Sequence, residues 1–326
     1  MVIRQSEQGI ELLQTAYIEE FCRNIFGITT EVASVTTPFD ANVKLSKADL
    51  PTTEKEKALC ATYKFREACG KFIYLRHTKP ECAYAISQVC RFASMPTTAA
   101  WKQAKRIAQY AFNTRHKGVM FRKCTSEADL FRIRAFADSS FLDCLDTGRS
   151  TGGYCIFWNG CLLSFESKRL PLVTLSTAES EYVEAARCAA EVTYIKELLN
   201  DFDITVGCVP IMEDNEACVQ ISKNPVHHQR TKHVAKFYHF VRDQCLSGDI
   251  ELAGIGTDYQ VADIFTKPLA HAKFRAFREV LCGYRSYEQL LNSNEEKQAE
   301  IRQLQAYDFQ LQNQISLAGH PLAHLI

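Results

Sequence analysis

Four carboxylates, Asp138, Glu181, Asp214 and Asp263, each stand where a predicted strand ends or a predicted helix turns inward. Acids so far apart along a chain meet only in a fold that gathers strand and helix ends at one rim. The feature therefore selects an α/β layered domain with a mixed sheet. Several hard oxygen ligands in one place are what two Mg²⁺ ions require, and a phosphodiester under attack needs both its attacking and its leaving oxygen stabilised. The chain reads first as a metal-dependent nuclease.

With 326 residues and 46% hydrophobic content the chain is long enough to bury a sizeable core, and its length suggests two domains. The fourteen cysteines contain no Cys-x-x-Cys pair, which argues against a zinc site or a small disulfide scaffold and for reduced thiols in an intracellular protein. No apolar run approaches the roughly 20 residues that span a bilayer, and the opening MVIRQSEQGIELL has no signal-peptide core. No membrane partner is expected.

Net charge is zero, because 38 Lys and Arg cancel 38 Asp and Glu, but the distribution is uneven. Between Glu81 and Glu127 there is no acid, while Arg91, Lys102, Lys105, Arg106, Arg115, Lys117, Arg122 and Lys123 are all basic. A second acid-free stretch runs from Glu216 to Asp243 and holds Lys223, Arg230, Lys232, Lys236 and Arg242 with four histidines. Such blocks fit contact with a phosphate backbone; each alone equally fits a solvated helix face.

Residues 1–125 have helical apolar periodicity over 8–25, 54–77, 81–94 and 97–114. From Phe131 the pattern changes. FRIRAFAD reads as a strand, GGYCIFW and CLLSFES as a hairpin joined by Asn159-Gly160, and CVPIMED and DIELAGI as two more strands. Helices are expected over 176–200 and 231–247, with a last one ended by Pro268. The expected domains are a mainly helical region at 1–125, a layered α/β domain at 126–283 and a polar tail at 284–326. In that tail Ile301, Leu304, Leu311 and Ile315 fit two heptads, a seam read as a frayed single helix before a dimer, so a monomer is expected.

Ser176 and Glu179 form a capping pair, so Glu179 has a structural duty that Glu181 lacks. At 100° per residue Glu181 shares a face with Ala178, Ala185, Cys188, Val192 and Leu199, whereas Ser180, Glu184, Arg187 and Glu191 fall on the polar side. A carboxylate on the packed face must be paired or bound to metal to offset its desolvation. Asp138 and Asp214 close predicted strands, where α/β sheets place their ligand sites. Asp214 taken alone also reads as the N-cap of the short helix after it. Asp263 faces inward among Val261, Ile264 and Phe265, and Asp143 and Asp146 are expected in a surface turn near Gly148.

FADSSF, GRSTGGY, SKRLPLVTLSTAESEY, EDNEACVQISKNPVHHQRTKH, YHFVRDQ and VADIFTKPL, in that order, resemble the ribonuclease H domain of copia-type retrotransposon Pol polyproteins over residues 131–282. KFREACGKFIYLRHTKPECAYAISQVCRF, PTTAAWKQAKRIAQY and GIELLQTAYIEEF resemble the end of the reverse transcriptase, its thumb or connection. The resemblance implies a ribonuclease H-like mixed five-stranded sheet flanked by helices and hydrolysis of the RNA strand of RNA/DNA hybrids. It implies Asp138, Glu181, Asp214 and Asp263 as ligands of two Mg²⁺ ions, with Mn²⁺ equally suited to oxygen ligands. Arg230, Lys232 and His233 become the candidates for gripping the hybrid, and retroelement particle proteins become possible partners in the cytoplasm or nucleus.

The chain departs from the family in places. It has no adjacent Asp-Asp pair, so the polymerase palm is missing, DNA synthesis is not expected, and the chain reads as starting after that motif. Phe141 replaces the usual tryptophan of the first motif, and Gly256 to Tyr259 hold no histidine before the last Asp. The alternative to an active ribonuclease is a non-catalytic nucleic-acid-binding remnant. A polynucleotidyl transferase of the integrase type is a third reading, disfavoured by the motifs and the four carboxylates.

Overall fold

The computed structural model describes residues 1–124, 131–223 and 234–292. The chain opens with the antiparallel strands β1 (Val2–Ser6) and β2 (Gly9–Leu13), where helix was expected from residue 8. Helix α1 (Thr15–Phe26) begins only after them and stops at Gly27, whose left-handed backbone lets its N–H reach the Arg23 carbonyl. The single helix expected over 54–77 is two, α2 (Glu54–Ala61) and α3 (Phe65–Leu75). Helix α4 (Ala83–Cys90) and α5 (Thr98–Asn113) follow, the latter started by Thr97 Oγ1 accepting from the Ala100 N–H. Strand β3 (Val119–Arg122) then returns to pair with β2, closing a small three-stranded sheet.

The main sheet uses β4 (Ile133–Ser140), β5 (Thr151–Trp158) and β6 (Cys161–Arg169). Helix α6 (Thr177–Asn200), β7 (Val209–Glu213), α7 (Glu216–Lys223), α8 (Ala235–Leu246) and β8 (Ile250–Gly254) complete it. The strand order is β6-β5-β4-β7-β8, antiparallel within the first three strands and parallel from β4 through β7 to β8. This is the ribonuclease H-like mixed five-stranded sheet. Asn159 and Gly160 both take positive φ, 52° and 69°, as the two-residue β5–β6 turn requires. Two single-turn helices at Thr257–Tyr259 and Val261–Phe265 stand where one longer helix was expected, and α9 (His271–Leu281) and α10 (Tyr287–Leu291) follow.

One face of the sheet, through Ala135, Ala137, Ile156 and Ile211, packs on Ala185, Ala189 and Val192 of α6. The opposite face, through Phe136, Cys155 and Phe157, joins a core that runs continuously to Phe72, Val89, Ile107 and Phe274. Residues on either side of position 125 therefore share one hydrophobic core. Polar ties reinforce the join: Arg91 donates to Thr151 Oγ1 at 2.9 Å, Ser46 Oγ to Asp146 at 2.8 Å, and Tyr284 Oη to Glu11 at 2.6 Å. Asp143, expected in a surface turn, instead accepts from Thr151 Oγ1 and Gln88 at this junction. Tyr287, Leu290 and Leu291 are buried, so the polar tail begins beyond them; its heptad positions 301–315 lie outside the described residues.

Candidate metal centre

Side chains alternate along β4, so Phe136 and Asp138 face the helical-region core while Ala135, Ala137 and Ser139 face α6. Helix α6 starts with Ser176 Oγ accepting from the Glu179 N–H, and the Glu179 carboxylate reaches back to the Leu175 N–H at 2.8 Å. With Glu179 so occupied, Ser180 hydrogen-bonds Ser139 at 2.8 Å, which brings Glu181 to the rim of β4. Asp214 follows the last residue of β7. The cap of α7 is Asn215, whose Oδ1 accepts from the Cys218 N–H at 3.1 Å, so Asp214 is released from the capping role that sequence alone allowed. Asp263 sits in the single turn Val261–Phe265 and is fully buried.

Asp138, Asp214 and Asp263 each offer an oxygen within 4.8 Å of the others'. Glu181, Glu213 and Asp214 do the same, so Asp214 belongs to both groups. Two oxygens across an octahedral Mg²⁺ are about 4.2 Å apart, which falls inside that limit. Glu181 Oε2 and Glu213 Oε2 are buried with no hydrogen-bond partner, the condition that a cation relieves. An all-carboxylate donor set suits Mg²⁺ or Mn²⁺ and not a soft metal. The residues present therefore fit such an ion.

Electrostatics point the same way. Burial first, and then the charge of Asp263, raises the Asp138 carboxyl to about 7 against the opposing pull of Lys267 and the Thr266 hydroxyl. Burial and the neighbouring Glu213 and Asp138 raise Glu181, and burial raises Glu213 against the Asn215 N–H that holds it. Two lysines supply positive charge here: Lys267 Nζ lies 2.6 Å from Asp263 Oδ1 and 3.9 Å from Asp138 Oδ2, and Lys273 Nζ lies 2.8 Å from Asp263 Oδ2. Thr266 Oγ1 donates a short hydrogen bond to Asp138.

Sequence reading missed Glu213, Lys267 and Lys273. Glu213 did carry a signal, since it shares strand parity with the core residues Val209 and Ile211. Glu184, expected on the polar side of α6, is fully buried, because Gly152 leaves room for its carboxylate where a Cβ would collide with it. Burial raises Glu184 to about 7 although Arg187 pairs with it at 2.6 Å. Arg230, Lys232 and His233 lie outside the described residues. Among the described residues no helix is long and apolar enough to cross a membrane.

No family model matches the chain. It is 30% identical over 271 residues to the retrovirus-related Pol polyprotein from transposon RE2 of Arabidopsis thaliana, a match covering 83% of this chain and 18% of that one. It is 32% identical over 270 residues to the corresponding protein from transposon RE1 of the same plant, covering 82% and 18%. The chain thus spans about a fifth of the length of these relatives. LC11-RNase H1, isolated from compost, is 16% identical over 42% of this chain and 93% of its own, with a TM-score of 0.34. The fold assignment rests on the strand order of the sheet. By its sequence relatives, this chain belongs to the retrovirus-related Pol polyproteins of transposons.

Proposed function

We propose that the chain is the ribonuclease H part of a Pol protein and hydrolyses the RNA strand of RNA/DNA hybrids in a divalent-metal-dependent reaction. The observation that carries this reading is the convergence of Asp138, Glu181, Glu213, Asp214 and Asp263 from four separate segments onto one rim of a ribonuclease H-like sheet. Asp138, Asp214 and Asp263 would hold one ion and Glu181, Glu213 and Asp214 a second, with Asp214 between them. The chemistry supplied by bound Mg²⁺ or Mn²⁺ is activation of a water for attack on phosphorus and stabilisation of the leaving 3′ oxygen. Thr266 orients Asp138 through its hydrogen bond, and Ser139 with Ser180 fixes the start of α6 so that Glu181 points inward. Lys267 and Lys273 pair with Asp263 and offset its charge.

The test is cleavage of a labelled RNA/DNA hybrid with Mg²⁺, comparing the chain with Asp214→Asn and with single- and double-stranded controls. Hybrid-only cutting that falls by at least 10²-fold in the variant is the expected result, because both carboxylate groups lose a shared oxygen. A folded chain that leaves the hybrid intact would instead support the non-catalytic binding remnant.

A further inference from the structure

Past the ends of β5 and β6 lies a recess of about 430 Å³ lined by Arg91, Arg149, Lys168, Arg169 and Arg187 with Ser87 at its edge. No acid is among its lining residues. The five cations come from four places in the fold: α4 of the helical region ends at Arg91, the β4–β5 connection carries Arg149, β6 ends in Lys168 and Arg169, and α6 supplies Arg187. Three of them are already answered. Arg187 pairs with Glu184 and Glu166, Lys168 lies 3.7 Å from Glu166, and Arg91 donates to Thr151 beside Asp143. Arg149 and Arg169 pair with no described carboxylate; among the described residues the Arg169 guanidinium donates to the Cys144 sulfur, at 3.5 Å. Two partly buried guanidiniums lining one recess, with no described carboxylate beside them, suit an anion.

Position says which anion. Ser140 of β4 is paired with Thr151 of β5, and Thr151 with Arg169 of β6. Arg169 is therefore two strands across from Ser140 on the same rim that carries Asp138, roughly 12 Å from it at about 4.8 Å per strand and 3.4 Å per residue. That distance is within reach of a duplex bound over the carboxylate site.

We propose that the recess is a phosphate site for the backbone of the nucleic acid that the carboxylate rim acts on, with Arg149 and Arg169 as its principal contacts. The proposal rests on the nuclease reading of that rim. Because Arg91 and Ser87 form one wall, the site is complete only when the helical region is docked on the sheet. Planar guanidiniums suit a phosphodiester, which accepts two parallel hydrogen bonds from each.

The experiment measures affinity for a fluorescent RNA/DNA hybrid by anisotropy in EDTA, where no cutting occurs, from 50 to 200 mM salt. Arg149→Ala/Arg169→Ala should weaken binding about tenfold and reduce the slope of log affinity against log salt by about 2, near 0.9 for each lost phosphate contact. Arg23→Ala/Lys55→Ala, which removes the same charge from exposed positions of α1 and α2, should leave the slope unchanged. Lys168→Ala, at an exposed side chain, is the second probe if the double variant folds poorly, and should lower the slope by about 1. A single methylphosphonate in the hybrid that weakens the wild type but not the double variant would identify the phosphate concerned. Slopes equal to wild type in both recess variants, with circular dichroism unchanged, would overturn the proposal. Should the wild type fail to cut hybrid yet lose its salt slope with Arg149 and Arg169, the nuclease reading falls and the phosphate site stands.

Discussion

Without metal the protein should become less stable as pH rises from about 4 to 7, and Asp138 should account for a measurable share of that loss. Its carboxyl, buried with 2% exposure beside Asp263, has a pKa raised from 3.8 to about 7. The folded chain keeps this proton over a range in which the unfolded chain has released it. Between pH 4 and 7 the folded state thus binds more protons, so stability falls as pH rises and the loss is complete above about 7. At about 1.4 kcal/mol per unit, and with the folded carboxyl half-titrated at pH 7, the span from pH 5 to 7 amounts to about 2 kcal/mol. For a chain of this size that is on the order of 4–8 °C in Tm. The assay is thermal unfolding in EDTA at pH 5.0 to 7.5 for the wild type and Asp138→Asn, repeated with 10 mM Mg²⁺. Glu184, also near 7, and the raised Glu181 and Glu213 slope the variant in the same direction, so the difference between the two proteins isolates Asp138. The wild type should lose more Tm than the variant, and Mg²⁺ should restore it at pH 7.5 but not at pH 5, where the ligand is protonated. Parallel curves in EDTA would refute the reasoning.

Lys267→Ala removes the amine 2.6 Å from Asp263 and should lower Tm in EDTA by a few degrees, about 1 kcal/mol, since Lys267 is 38% exposed and Lys273 still pairs with Asp263. The same variant should show a larger Mg²⁺-induced rise in Tm than wild type, because no amine competes for those oxygens; an equal rise counts against that competition. Gly153→Ala places a Cβ against Phe265 and Thr266, the segment that carries Asp263, and should cost about 1–3 kcal/mol in a urea titration while blunting the Mg²⁺ response.

The sequence was most legible where local pattern and tertiary role coincide. Alternation along 131–138 marks a strand with Asp138 at its end, and the structure ends β4 two residues later. Ser176 starts α6 as its capping chemistry predicts. Patterns failed where a distant partner decides. Residues 9–13 suit one face of a helix, but they become β2 because β3 arrives from beyond residue 118 to pair with them. Glu184 reads as surface, yet it is buried over Gly152 on a strand that helix periodicity knows nothing of. Lys267 and Lys273 reach the carboxylates only because the turn Val261–Phe265 folds back over β4 and β5 and α9 packs on that turn.

The helical region does more to the nuclease sheet than precede it. Phe136, Cys155, Phe157 and Leu162 form an apolar face that is buried by the same core as Phe72, Val89 and Ile107, so separating the chain near 125 would hand that face to water. The single turn bearing Asp263 belongs to this core through Val261, Ala262, Ile264 and Phe265, and Arg76 lies over the Phe165 ring that stacks on Phe265. The position of Asp263 is thus set partly by helices that contribute no carboxylate to the rim. The same helices bring Arg91 to the basic recess and Gln88 to Asp143. Carboxylate rim and recess are therefore products of one docking event, and a change that loosens α4 from β5 should disturb metal response and salt-dependent hybrid binding together.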